Sequence, residues 1–243
     1  MVSFLVVALF FGGIAAAVVY FYIPKSTCFD GKQNQKETGI DCGGPCGPCI
    51  INPKDIVVLW TRVIQIDESL YEVASLIENP NLFYGLSEFK YNFKLYDSKN
   101  VLVAVKEGRT FLNPQDRFAI FETKIDTGHR DAAKAVVEIN SVSDWEYLDK
   151  ERPSIIISRK SFSNEPFPVA SAYIYNESLF PVKNIYIYIV LSDQNGNAMA
   201  VSSTKVESLA GEKGKEVTFT WPAPFAELPL SSEIYTRINL FRD

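Results

Sequence analysis

The feature that most restricts how this chain can fold is an internal repeat. Past Asn52-Pro53 the residues read as β-structure twice, at an offset of about 97. Val58-Leu59-Trp60-Thr61-Arg62 aligns with Ile155-Ile156-Ile157-Ser158-Arg159, and the stretch from Val73 to Phe83 aligns with that from Ala170 to Phe180. Tyr91 to Asp97 then aligns with Ile187 to Asp193, the second copy being one residue shorter just before this strand. Further on, Phe118 to Glu122 is matched with Val217 to Trp221, and Ala135 to Ile139 with Thr236 to Leu240. Apolar alternation alone would align any two β-rich segments. Here Arg, Asn, Leu, Phe and Asp also coincide in the same order, which points to a duplicated unit.

The local pattern agrees with strands and turns. Ile185, Ile187 and Ile189 alternate with Tyr186, Tyr188 and Val190, giving one aliphatic face and one largely aromatic face. Asp193-Gln194-Asn195-Gly196-Asn197 carries an Asn-Gly turn signal, and Asp97-Ser98-Lys99-Asn100 occupies the same place in the first copy. Short strands separated by turns, about 95 residues per unit, predict a seven-strand immunoglobulin-like sandwich in each copy. Trp60, Trp145 and Trp221 are expected in cores or at a domain interface. Asn176-Glu177-Ser178 fits a glycosylation sequon, but its match to Asn79-Pro80-Asn81 reads as a turn.

Phe93-Lys94-Leu95-Tyr96-Asp97 resembles the F-x-L-Y-D signature of FxLYD-type domains. The context is similar too: a strand ending in Asn79 or Asn176, the signature strand, then a turn at Asn113-Pro114 or Gly211-Glu212-Lys213-Gly214. The second copy departs at the signature itself, with Ile189, Leu191, Ser192 and Asp193. The resemblance implies small extracytoplasmic β-sandwiches and no particular activity.

All four cysteines, Cys28, Cys42, Cys46 and Cys49, fall within 22 residues, and none follows. So short a segment cannot bury a core and needs a staple. Outside the cytoplasm that staple is two disulfides, with three pairings open. Asp30, Asn34, Glu37 and Asp41 are interleaved with Gly31, Gly39, Gly43 and Gly44, and oxygen ligands on a tightly turning loop suit Ca²⁺. The segment resembles the C-x-D-G-x-x-N-x-x-E-x-x-x-D-C-G-G-x-C-x-x-C motif of secreted and surface proteins, which implies an extracellular spacer. Two rival readings are weaker. Cys46-Gly47-Pro48-Cys49 matches the thioredoxin tetrapeptide, yet no strand–helix context surrounds it. The spacing C-x13-C-x3-C-x2-C is irregular for zinc.

Val2 to Ile23 is 22 residues without a charge. As a helix it would span roughly 33 Å, against a bilayer core of about 30 Å. It exceeds the roughly 7–15 residues of a secretory h-region, so an uncleaved anchor is expected. Tyr20 and Tyr22 sit where interfacial aromatics belong.

A net charge of −5 without a long basic run gives nucleic-acid binding no electrostatic support. His129 is the one histidine, and no G-x-S-x-G elbow or phosphate-binding glycine loop occurs, so no catalytic residues are assigned and an enzyme is not expected. The sequence therefore reads as mainly β: a transmembrane helix (1–24), a cysteine-rich module (25–52) and two tandem immunoglobulin-like sandwiches (53–149 and 150–243). No cofactor beyond Ca²⁺ at the module is implied. The expected function is that of a membrane-anchored, non-catalytic surface protein in adhesion, interaction or envelope structure. It would be single-pass, with its C-terminal domains extracytoplasmic. Its partners would be membrane lipid through the helix, and other surface proteins or further copies of itself. The alternative is a subunit of a pilus-like filament with the N-terminal helix in its core, although the early glutamate and basic leader usual in pilins are missing.

Overall fold

The computed structural model describes residues 28–47, 49, 53–140 and 144–242. The expected membrane segment Val2 to Ile23 lies outside them; among the described residues no helix is long and apolar enough to cross a membrane. The chain divides into two compact units, Met1–Ile51 and Asn52–Asp243. The larger unit is mainly β. Its first half holds β1 (Val57–Gln65), β2 (Leu70–Glu78), β3 (Tyr84–Tyr96), β4 (Leu102–Leu112), β5 (Arg117–Asp126), β6 (Lys134–Ile139) and the two-residue β7 (Glu146–Tyr147). The second half holds β8 (Ile155–Ser163), β9 (Val169–Asn176), β10 (Val182–Ser192), β11 (Ala198–Leu209), β12 (Gly214–Thr220) and β13 (Ser231–Arg237).

Each half forms two antiparallel sheets, and no sheet mixes strands from both halves. The orders are β1-β2-β5 and β4-β3-β6 in the first, with β7 on β3, and β12-β9-β8 and β11-β10-β13 in the second. Val73, Ile77, Phe118 and Ile120 of one sheet meet Phe93, Leu95, Leu112 and Val137 of the other in the first core. Ala172, Ile174, Val217 and Phe219 meet Ile185, Ile187, Ile189 and Leu191 in the second. Full burial of such a side chain contributes about 1.5–3 kcal/mol before chain entropy is set against it. Among the described residues each half thus has six full strands rather than the seven expected. The strand missing from the pattern is the one that would pair with the outer edge of β6 or β13.

The register corrects two of the sequence matches. Ile120 stands opposite Ser75 as Val217 stands opposite Ala172, so Val217 corresponds to Ile120 rather than to Phe118. Ala135 stands opposite Leu95 as Ser232 stands opposite Leu191, so Ala135 corresponds to Ser232 rather than to Thr236. Both errors preserve the period of two, which is why apolar alternation could not expose them.

The aromatic side of β10 faces the first half. Phe111 and Tyr186 have ring centroids 6.0 Å apart, and Phe121 meets Tyr188 edge-on at 5.9 Å. Beside them Ile64, Ala74 and Ala119 pack on Val190 and Val201, with Trp60 at the margin. The outer face of the β1-β2-β5 sheet is therefore covered by the outer face of the β11-β10-β13 sheet, and four layers stack. Trp145 packs on the first core, and Trp221 lies in the second, its Nε1 donating to the Val201 carbonyl at 2.9 Å.

An ion pair is buried at this seam. Arg237, at the end of β13, is 2% exposed and Asp116, in the β4–β5 turn, is 1% exposed. Arg237 donates to Asp116 Oδ2 at 3.1 Å, to Thr110 Oγ1 at 3.1 Å and to the Phe111 carbonyl. Its guanidinium lies 3.2 Å from the Phe118 ring centre and 4.0 Å from that of Phe111. Asp116 Oδ1 also receives Arg152, from the segment joining the halves, at 2.9 Å. Burial pushes the Arg237 pKa below its usual value, and the Asp116 charge opposes that shift.

The Asp116→Ala variant, which leaves Arg237 buried and unpaired, is expected to lose about 3–5 kcal/mol in denaturant titration. A second site predicts a pH effect. Glu72 pairs across to Ile64 on the seam face, its Oε2 is buried without a hydrogen-bond partner, and desolvation pushes its pKa up from 4.5 to about 7. A carboxyl protonated in the folded state but ionised in the unfolded state stabilises below pH 4.5, and this contribution is lost as pH rises through 7. Glu72→Gln should therefore flatten that pH dependence and raise stability at pH 8 by about 1–2 kcal/mol, allowing for partial solvent access.

Candidate functional site

The cysteine module is the first candidate. Cys28 bonds Cys46 and Cys42 bonds Cys49, with Cα–Cα distances of 5.5 and 5.0 Å. Of the three pairings open to the sequence, this is first-with-third and second-with-fourth. Cys46 and Cys49 thus belong to different bridges, and the dithiol pair that thioredoxin chemistry uses is not formed. No described cysteine is free to ligate zinc as a thiolate.

Glycine makes the loop possible at two points. Gly43 has φ +79°, and a Cβ there would sit 1.8 Å from Thr38 Oγ1; Gly44 has φ +60°, and its Cβ would sit 2.4 Å from the Lys36 carbonyl oxygen. The close approach closes a small ladder in which Thr38 and Gly39 both donate to the Cys42 carbonyl, at 3.0 and 3.1 Å.

The four oxygen-bearing residues are brought together as one network. Asp41 accepts the Asp30 and Gly31 N–H groups at 3.0 and 2.9 Å, one on each carboxylate oxygen. Asp30 accepts the Lys32 N–H at 3.0 Å and the Asn34 amide at 2.9 Å. Glu37, 6% exposed, accepts the Asn34 and Asp41 N–H groups on Oε2 at 3.0 and 3.2 Å, and its Oε1 lies 3.0 Å from Cys46 Sγ. These carboxylates are thus aimed at backbone donors, closing turns that the loop's few apolar residues cannot hold. The Asn34 Oδ1 is buried without a hydrogen-bond partner. Cys28, Glu37 and Cys46 also cluster within 4.8 Å, but both sulfurs are consumed in one disulfide, so this trio does not fit a metal.

No family model matches the chain. No curated protein matches it either. Among solved structures it is similar to the crystal structure of red sea bream transglutaminase, at 10% identity and TM-score 0.22, over 74% of this chain and 31% of that one. The chain spans less than a third of that structure's length, and a likeness this slight carries no argument about fold or chemistry.

Other residues marked in the sequence turn out to hold the frame. Asn176 is fully buried; its amide donates to the Phe180, Leu209 and Ala210 carbonyls, and its Oδ1 accepts from Ser178. Asn79 does the same in the first half, donating to Tyr84 and Asn113. The sequon is thus a turn whose amide faces inward. Asp97 and Asp193 each accept two N–H groups of the following hairpin turn. His129 is exposed in the β5–β6 turn.

The second candidate was not legible in the sequence, since its walls come from residues over 150 positions apart. It is a cleft of about 440 Å³ where the two halves meet, lined by Glu88, Arg109 and Phe111 of β3 and β4 and by Tyr186, Asn239 and Arg242 of the second half. A hollow of about 320 Å³ along Lys90, Asn92 and Asn140 shares Arg109 with it.

In the module, Gly44→Ala is expected to destabilise its oxidised form by about 1–3 kcal/mol, seen as faster release of thiols under mild reductant, because the Lys36 backbone must move to admit a methyl group.

Proposed function

We propose that this chain is a membrane-anchored, non-catalytic surface protein, in which an apolar N-terminal helix holds a disulfide-stapled spacer and two immunoglobulin-like sandwiches outside the cytoplasm. The observation that carries the reading is the pair of disulfides concentrated in one short module. Disulfides persist where the environment oxidises, and a loop with so little apolar content depends on them. The uncharged run from Val2 to Ile23 supplies an anchor of spanning length. The strand orders support the sandwich class: β1-β2-β5 and β4-β3-β6 follow an A-B-E and C′-C-F arrangement, and β8 to β13 repeat it. The FxLYD-type resemblance favours the same location.

The role is adhesion, interaction or envelope structure, in keeping with polar loops displayed on a rigid frame. A non-catalytic reading suits the exposed place of His129 and the use of the module's carboxylates as turn staples. Ca²⁺ at Asp30, Asn34, Glu37 and Asp41 would require those carboxylates to exchange backbone donors for the ion.

Fractionation tests the location. The native chain should stay in the membrane pellet through alkaline carbonate, and its domains should be cut by protease added to intact cells. Alkylation without reductant should leave its mass unchanged. Release into the soluble fraction, or uptake of four alkyl groups, would sink the reading.

A further inference from the structure

We propose that the cleft between the two sandwiches binds an acidic saccharide, with Arg109 and Arg242 holding its carboxylate and Tyr186 supporting its ring. This goes beyond the anchored-surface reading and does not depend on it, since anchor and disulfides lie in another part of the chain.

Charge is the first observation. Arg109 stands 74% exposed on its side chain and has only a distant contact with Glu88, at 3.9 Å. Arg242 makes no ion pair among the described residues and lies on the same cleft. Behind the wall, Arg237 shares its single counter-ion: Asp116 is bound by Arg152 as well, so one carboxylate answers two guanidinium groups. Glu88 also lines the cleft, so two guanidinium groups face one carboxylate and the wall keeps a net positive charge in a chain whose net charge is −5. A concave site with low-dielectric walls focuses such a field on an incoming anion. Guanidinium groups suit a carboxylate because their planar donors match its two oxygens.

The lining is the second observation. Tyr186 and Phe111 present adjacent aromatic rings on the cleft. Thr110 and Asn239 add hydroxyl and amide groups beside them. An aromatic surface flanked by short polar side chains fits a ring that carries hydroxyls, with one apolar face and a polar rim. A fatty chain would find too little apolar wall. The volume of about 440 Å³ lies within the range of small-molecule sites, about 300–1,000 Å³.

The frame around the cleft is preorganised. Arg237 is tied to Thr110 and to the Phe111 carbonyl, so the cleft's floor is fixed by the same contact that locks the two halves. A ligand seated there touches both copies of the repeat, and neither sandwich alone carries the site.

Isothermal titration of the full chain with digalacturonate tests the proposal. Saturable binding is expected, with the neutral galactose disaccharide at least about tenfold weaker, since the carboxylate contact is lost. Arg109→Ala and Arg242→Ala should each weaken digalacturonate by about fivefold or more without shifting the melting temperature, because both side chains are at the surface. Lys160→Ala, away from the cleft, should leave the affinity unchanged. No heat at about 10 mM ligand, equal binding of the neutral disaccharide, or an equal loss in Lys160→Ala would overturn the site. Equal affinity for sulfate, or for a blocked di-glutamate peptide, would overturn the saccharide assignment.

Discussion

A guanidinium enclosed by protein must be neutralised where it stands, and the architecture of the larger unit follows from how this is done for Arg237. Its partner Asp116 belongs to the other copy of the repeat, so the ion pair forms only when the two sandwiches meet in one alignment. The rings of Phe111 and Phe118 close over the charge, and Arg152 approaches Asp116 from the segment between the copies. Apolar packing of Ile64, Ala74 and Ala119 on Val190 and Val201 supplies attraction but little direction. The buried pair supplies the direction, because any sliding of one sheet over the other would strand a charge in a dry place.

The two halves use the same solution in two places and differ in what they add to it. Asn79, just after β2, and Asn176, at the end of β9, each tie their turn to the opposite sheet's loop with a buried amide. Asn113 shows the divergence. Its amide and carbonyl reach Ile238 and Leu240 at the far end of the chain, a link with no counterpart in the second copy, where Ala210 stands at the corresponding turn. Both halves thus hold the internal brace, and the first adds a clasp on its neighbour.

Much of this could be read from residue order. Period-two alternation located β10 and its two faces, and the cysteine cluster with its glycines announced a stapled loop. Register could not be read, because a slip by an even number of residues preserves every inward and outward choice; Val217 and Thr236 were therefore matched to the wrong residues. The strand count failed for a related reason: composition shows which segments suit a sheet but not whether an edge will be paired. The seam and the cleft were beyond reach. Arg109, Tyr186 and Arg242 are ordinary surface residues along the chain, and only the stacking of four layers makes neighbours of them.

The interlaced bridges of the module have a mechanical consequence. Cys28–Cys46 and Cys42–Cys49 enclose overlapping stretches of backbone. A single protease cut anywhere from residue 28 to residue 49 leaves the two pieces covalently joined, and a cut between 42 and 46 leaves them joined twice. Were the cysteines paired in sequence, one cut between 42 and 46 would separate the two pieces. Separating the two ends within residues 28–49 requires a cut in each of the three intervals between successive cysteines, or a reductant.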